Sequence, residues 1–417
     1  MRSCGCIILA AGEGTRFKAE TPKILYELYG KPILQCALDA VNGVGIKRPL
    51  VVIGYGAKEV RDFLKSKGKV VFQRRRLGTA NAVKVAKNAL SPVEDVLVLY
   101  GDAPLIKSET IRSLIKEHKR SGNSCTLLVA KLDDPTGYGR ILRGSSNNIE
   151  GIIEEREATP EQRRIREINA GVYCFKRRDL FDGIKKVKKS KVKKEYYLTD
   201  LIAIFADENK KVNSIETDDP DEVIGVNSRV DLAKAFSIIR KRTINKLLNE
   251  AVTVLDPSTT FIVPDAKIGK DTIIYPFVVI EKNVKIGKNC SIGPFCRIRS
   301  GTVLEDDIEL GNFVEVVRSR IKSGTKAKHL TYLGDAFIGK DVNIGCGTIT
   351  ANYDGKGKHR TTIGDDAFIG SGTIFVAPVK IGKGALTGAG CVVLRKRDVP
   401  PKSVVVGVPA KILKKPK

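Results

Sequence analysis

From Ile262 to Val316 a large aliphatic residue occupies every sixth position: Ile262, Ile268, Ile274, Ile280, Ile286, Ile292, Ile298, Leu304, Leu310 and Val316. A glycine or an acidic residue often follows, as at Gly269, Glu281, Gly287, Gly293, Glu305 and Gly311. Neither the period of a helix nor that of a hairpin strand stays in phase with such a run. A six-residue period is the mark of a stacked β-solenoid, in which each hexapeptide forms one short flat side and three sides close a triangular coil. The aliphatic side chain points inward and stacks on its counterpart in the next coil, about 4.8 Å away. The small or acidic residue suits the turn. The ladder resumes at Ile338 and Ile344, then at Ile363, Ile369, Phe375, Ile381, Thr387 and Val393.

Two gaps interrupt this ladder. The step from Val316 to Ile338 is not a multiple of six, so a register break or bulge is expected within residues 322–337, which contain His329. The step from Ile344 to Ile363 overshoots a multiple of six by one, so one extra residue or a short excursion is expected within residues 350–362, which contain Asn352-Tyr353-Asp354-Gly355. A solenoid needs neither for stability, and departures from a locally consistent pattern are where function concentrates.

A chain of 417 residues is long for one domain and comfortable for two. Its net charge of +26 comes from 73 basic and 47 acidic residues spread along the chain, with no Trp. That distribution, without aromatic interleaving, argues against a nucleic-acid interface and suits small polyanionic ligands or simple solubility. No apolar run approaches a membrane span, and the stretch 6–11 is too short for a signal peptide, so a cytoplasmic protein without membrane partners is expected. The nine cysteines show no CxxC or Cys/His clustering and read as reduced thiols.

In the N-terminal half, residues 5–11 read as a buried strand running into Gly12-Glu13-Gly14-Thr15-Arg16. Such a glycine-rich turn lets backbone N–H groups approach a phosphate or base. It is neither a Walker loop nor GxGxxG, but Arg16 and Pro22-Lys23 place two cations within its reach. Strand and helix signals then alternate: strand 50–53, helix 58–65, strand 70–72, helix 79–89, strand 96–100. This argues an α/β layered domain with a largely parallel sheet, whose ligands bind at the carboxyl ends of the strands. Asp102 follows the last of these strands, where spacing alone leaves a Mg2+ ligand and a helix N-cap equally open. Residues 228–251 carry Leu232, Phe236, Ile239, Thr243 and Leu247, with Ile244 and Leu248 beside them, in steps of three and four, an amphipathic helix about 33 Å long.

Leu9-Ala10-Ala11-Gly12-Glu13-Gly14-Thr15-Arg16 with Pro22-Lys23 resembles the signature of sugar-1-phosphate nucleotidylyltransferases. Gln73, Leu77-Gly78-Thr79-Ala80, Tyr100-Gly101-Asp102, Gly137-Tyr138-Gly139-Arg140, Glu154-Glu155, Glu167-Ile168-Asn169, the run from Glu195 to Asp200 and Gly225-Val226-Asn227-Ser228-Arg229 narrow it. With the solenoid included, the chain resembles, over essentially its full length, the bacterial bifunctional N-acetylglucosamine-1-phosphate uridyltransferases/glucosamine-1-phosphate N-acetyltransferases. The resemblance implies an α/β nucleotidyltransferase domain with a Rossmann-like mixed sheet (1–227), a linker helix (228–250) and a left-handed parallel β-helix acetyltransferase domain (251–417).

It also implies roles. Leu9, Ala10, Ala11, Gly12, Gln73, Gly78 and Thr79 would contact uracil and ribose. Arg16 and Lys23 would hold the triphosphate. Tyr100, Gly101, Gly139, Glu154, Asn169 and Asn227 would line the nucleotide and sugar sites, and Asp102 with Asn227 would bind Mg2+. In the solenoid, His329 would be the general base and Glu315 would orient its ring. Arg299, Tyr332, Asn343 and Lys358 would bind the amino-sugar phosphate, and Cys346, Asn352, Tyr353, Ser371 and Ala389 would line the acetyl-coenzyme A side. Substrates would be UTP, acetyl-CoA and an amino-sugar phosphate, with a homotrimer as the assembly. His118 reads as a solvated helix residue.

Two positions depart from the family pattern. Val317 stands where a phosphate-contacting lysine is expected, and Gly407 where the coenzyme end usually carries an arginine. Arg318 is no automatic substitute, since successive strand residues face opposite ways. Glucosamine phosphate and galactosamine phosphate both stay open as acceptor. So do broader sugar or nucleotide use, a solenoid that is only structural, and a non-catalytic scaffold, although Arg16, Lys23, Asp102 and Asn227 oppose the last.

Overall fold

The structure is a computed structural model that describes residues 4–190, 192 and 194–414. It divides into two compact units, Met1–Phe236 and Ser237–Lys417, with the cut inside the helix Arg229–Asn249.

The first unit is built on β1 (Cys4–Ala10), β2 (Leu50–Ile53), β3 (Lys69–Phe72), β4 (Asp95–Tyr100), β5 (Cys125–Lys131), β6 (Arg140–Arg143), β7 (Ile149–Ile153), β8 (Glu167–Lys176) and β9 (Val212–Glu216). The main sheet runs β9-β5-β8-β4-β1-β2-β3, and the β6–β7 hairpin joins it at the start of β8. Every main neighbour pair is parallel except those of β8, which is antiparallel to both β4 and β5. The amino end of β8, with Asn169, therefore lies at the same rim as the carboxyl ends of β1 and β4, the rim where ligands of open α/β sheets bind.

Alternation along β1 sorts its side chains between two cores. Ile7 and Leu9 pack with the helices Thr79–Ala86, Arg177–Ile184 and Asp200–Asp207. Cys6, Ile8 and Ala10 pack with Ile33–Asn42, Ala57–Leu64 and Ser108–Ser121. His118 corrects one expectation: it is 1% exposed, not solvated. It falls on the stripe of Ile111 and Leu114, facing inward, with Nδ1 3.0 Å from Thr126 Oγ1.

The second unit is a parallel β-helix with three faces, and every ladder residue from Ile262 to Val316 stacks where its six-residue step requires. Complete coils of three hexapeptides run to Leu310, with Ile274 on Ile292 and Ile292 on Leu310. One register break falls within 322–337 as expected, at the step from Leu333 to Ile338, and a second precedes that range, at the step from Val316 to Ile321. Two coils are each one residue short, so that Asn312 pairs with His329 and Glu315 with Tyr332. The deletions fall at two corners, where Arg318 and Asp335 adopt left-handed conformations, and His329 ends a regular strand, Lys326–His329, between them. The second gap is an excursion as expected, but larger: Ile338 stacks on Ile363, where an unbroken coil would have brought it to Lys356.

Ile244 and Leu247 of the long helix pack into the solenoid core, whereas Leu248 is 42% exposed. At the other end Lys411–Lys414 folds back antiparallel on Val404–Val406 and covers a strand edge left open on that face. Among the described residues no helix is long and apolar enough to cross a membrane.

Candidate active sites

At the rim of the N-terminal sheet a cleft of about 580 Å³ opens over the β1 turn, Gln73, Gly78, Thr79, Tyr100 and Asp102. Two adjoining hollows extend it past Arg16 toward Gly139, Glu154, Asn169 and Asn227. Three glycines shape this space. A Cβ on Gly12 would meet nothing within 4 Å, so that backbone faces open cleft. Gly14 has φ 64° and lies against the Lys23 stem, where a Cβ would come within 2.9 Å. Gly78 has φ 103° and lets Tyr196 pass, its carbonyl oxygen only 2.5 Å from where a Cβ would sit. The segments on either side are zipped together by Tyr196 N–H to Leu77 O at 2.8 Å and Leu198 N–H to Thr79 Oγ1 at 2.9 Å. Gln73, 4% exposed, closes the cleft wall by donating to Gly78 O at 3.1 Å and Asn81 Oδ1 at 2.9 Å.

Lys23 is 8% exposed, and its ammonium donates to Asp102 Oδ2 and, at 2.7 Å, to Asn227 Oδ1. Val226 N–H bonds Asp102 O at 2.8 Å, which ties the segment leading into the long helix to the end of β4 and brings both oxygens to one point. Asp231 fixes the next residues by accepting from Asn227 N–H at 3.0 Å and Ser228 N–H at 2.8 Å. Asp102 caps no helix, since the next one begins at Ser108 after Lys107. Two hard oxygen donors converging on a cation fit a Mg2+ ion, which takes one or two carboxylates and fills its shell from phosphate and water. Among the described residues there is no cluster of three or more acidic, His or Cys side chains that would make a closed metal cage.

Deeper in, burial, reinforced by Glu154 and Asp102, raises the Tyr100 phenol well above the ordinary range. It stays a neutral donor at working pH. Asn169 donates to Tyr173 Oη at 2.6 Å and accepts from Gly171 N–H at 3.1 Å. Gly171, at φ 71°, packs directly beneath the Tyr100 ring. Thr199 Oγ1 donates to Glu154 at 2.9 Å.

Asp200, beside this wall, has its carboxyl pushed up to about 6, first by burial and then by Glu157 and Glu154. The folded state thus holds this proton more tightly than the unfolded chain, and its stability contribution is lost as pH rises from about 4 to about 6. Asp200→Asn should flatten the dependence of melting temperature on pH across that window and raise it at pH 7. Calorimetry at several pH values checks this, and an unchanged slope would count against it.

On the solenoid, successive-coil registers place Asn312, His329, Cys346, Ser371, Ala389 and Gly407 in one column along a corner. His329 is exposed, and its Nδ1 lies 3.0 Å from Asn312 Oδ1. The expected ring partner, Glu315, instead accepts from Arg299 Nη1 at 2.9 Å. Tyr332 and Glu315 project from one face of the prism and Asn343 from the adjacent face. Asn352, 7% exposed, donates to Asp335 at 2.5 Å, and Asp335 also takes both arms of Arg318 at 2.7 Å. Tyr353 is exposed and bridges to Lys358 across the excursion. Val317 is 3% exposed and offers no charge. Asp335, which joins Arg318 to Asn352, carried no motif in the sequence; only the coil register reveals it.

Residues 6–190 match the MobA-like NTP transferase domain family, and residues 265–300 and 360–395 match the bacterial transferase hexapeptide (six repeats) family. The chain is 42% identical over 434 residues to the bifunctional protein GlmU of Heliobacterium modesticaldum, covering 96% of this chain and 94% of that protein. It is 40% identical over 435 residues to bifunctional protein GlmU of Geobacillus thermodenitrificans, with the same coverage. A third, from Thermosipho africanus, is 42% identical over 434 residues, again covering 96% and 94%. Both halves and their junction are thus shared with proteins of one kind, and the chain belongs to the family of bifunctional GlmU proteins.

Proposed function

We propose that the solenoid acetylates glucosamine-1-phosphate with acetyl-CoA and that the N-terminal cleft then transfers UMP from UTP to the product, releasing diphosphate and UDP-N-acetylglucosamine. In the cleft, an anionic oxygen of the sugar phosphate attacks the α-phosphorus in line as the bond to the leaving diphosphate breaks. No protein nucleophile is required, so the site must supply alignment and neutralisation. Arg16, which has no ion-pair partner among the described residues, and Lys23 supply positive charge. Tyr100, Glu154 and Asn169 orient the sugar, and the β1 turn, Gln73 and Thr79 hold the nucleotide. Asp102 and Asn227 would hold Mg2+, which when bound neutralises phosphate charge.

In the solenoid site the acceptor amine attacks the thioester carbonyl, the C–N bond forms, and the C–S bond breaks with loss of the coenzyme thiolate. His329 accepts the amine proton. The observation that carries the reading is the column above this imidazole: Cys346, Ser371 and Ala389 follow in three steps of about 4.8 Å, a track for a long acyl-carrier arm leading to the base. Tyr332 and Asn343 project from different faces, so one copy cannot direct both onto the same ligand across a flat surface. A neighbouring copy would complete the site. Phe277, Phe295 and Phe313 stack along the same corner, one residue past that column and on the coils before His329, at 4.8 and 5.1 Å while about half exposed, which supports burial against that neighbour. We propose a cytoplasmic homotrimer; a monomer by sedimentation would remove the support for a shared acetyl site.

The test is acetyl-CoA consumption with glucosamine-1-phosphate and, separately, galactosamine-1-phosphate. Turnover with the first is expected, and the ratio reads out what the uncharged Val317 does to acceptor choice. No turnover with either would leave the solenoid without its reaction.

A further inference from the structure

The excursion at residues 351–362 carries Lys358 on a loop that the coil itself cannot place. Its base is closed by His359 N–H to Asn352 O at 2.7 Å and by the bridge between Tyr353 and Lys358. At its tip Asp354 Oδ1 accepts from Lys356 N–H at 3.0 Å and Gly357 N–H at 2.8 Å. The other oxygen of Asp354 reaches His359 Nε2 at 2.6 Å and Arg395 Nη1 at 3.1 Å, and Arg395 Nη2 also lies 3.2 Å from His359 Nε2. Arg395 comes from a later coil, just past its strand Val392–Val393. This three-residue knot therefore fastens a free hairpin to a rigid corner. These hydrogen bonds, led by the two backbone donors, hold the Asp354 carboxyl well below its ordinary range, so it is ionised throughout the working range.

We propose that Asp354, His359 and Arg395 form a clasp that holds the excursion against the coil and sets the reach of Lys358 toward the acetyl acceptor. The proposal rests on the reading of Lys358 as an acceptor contact. The three are positioning residues, since none is required to touch the acceptor. Exposed ion pairs add little to global stability, so the clasp acts on where a cation stands and not on whether the solenoid folds.

The experiment uses the full-length protein with His359→Ala, Arg395→Ala, Arg395→Lys, Lys358→Ala and the Lys358→Ala/Arg395→Ala double variant. We expect His359→Ala and Arg395→Ala to raise KM for glucosamine-1-phosphate about 10-fold. Acetyl-transfer kcat should change little, and uridyl transfer and melting temperature should hold at wild-type values. Arg395→Lys should recover part of the loss. In the double variant, loss of the clasp should add nothing to the effect of Lys358→Ala, because both act through one cation. If Lys358→Ala raises KM while both clasp variants leave it unchanged, or if the two effects multiply, the clasp is overturned and the acceptor reading stands. If Lys358→Ala itself leaves KM unchanged, the acceptor reading of that lysine falls and the clasp with it.

Discussion

Asp102→Ala and Lys23→Ala will each lower uridyl transfer by about 100-fold or more and leave acetyl transfer at its wild-type rate. Lys23 and Asp102 are each other's partner, and Asn227 shares the same ammonium at 2.7 Å. Removing the carboxylate therefore deletes a metal ligand and also frees a buried cation, a change that can disturb folding. Asp102→Asn separates the two effects. It keeps an oxygen acceptor for Lys23 but removes the charge that favours a divalent ion, so it should fold normally, need more Mg2+ to reach a given rate, and still transfer slowly. Uridyl transfer at wild-type rates in both alanine variants would refute the assignment.

His329→Ala should cut acetyl transfer by about 100-fold or more with uridyl transfer unaffected. His329 is exposed and its ring is held by Asn312, so little folding energy is at stake and the loss reports chemistry. Asn312, and not Glu315, sits against Nδ1, so Asn312→Ala should also lower kcat, by less than loss of the base itself. Steady-state acetyl-CoA assays of the two variants check this, and an unimpaired His329→Ala enzyme would remove the general base.

The architecture was legible because Ile262 to Val316 repeats without error over nine steps, and no other backbone arrangement tolerates that period. The number of register breaks was not. The stretch from Val316 to Ile338 contains two shortened steps, at the Arg318 and Asp335 corners, and two ordinary ones between, which a count from end to end merges into one irregularity. With complete coils throughout, Asn312 would face Leu330. Only the shortened coil brings it to His329, so the ring's neighbour was hidden by a single deletion. His118 was legible but misread: Ile111 and Leu114 already marked its stripe as inward, and the charged residues around it masked the spacing. In the N-terminal half the motif residues lie far apart in sequence and meet at one rim because β8 runs against its neighbours, a topology that no local pattern announces.

The central claim is that one chain carries two independent reactions joined by a diffusible product. The direct measurement gives purified Asp102→Ala and His329→Ala proteins glucosamine-1-phosphate, acetyl-CoA, UTP and Mg2+, separately and mixed, and follows UDP-N-acetylglucosamine by chromatography. The account predicts little or no product from either variant alone and restored production from the mixture, since each supplies the step the other lacks. Efficient production by either variant alone, or none from the mixture, would contradict it.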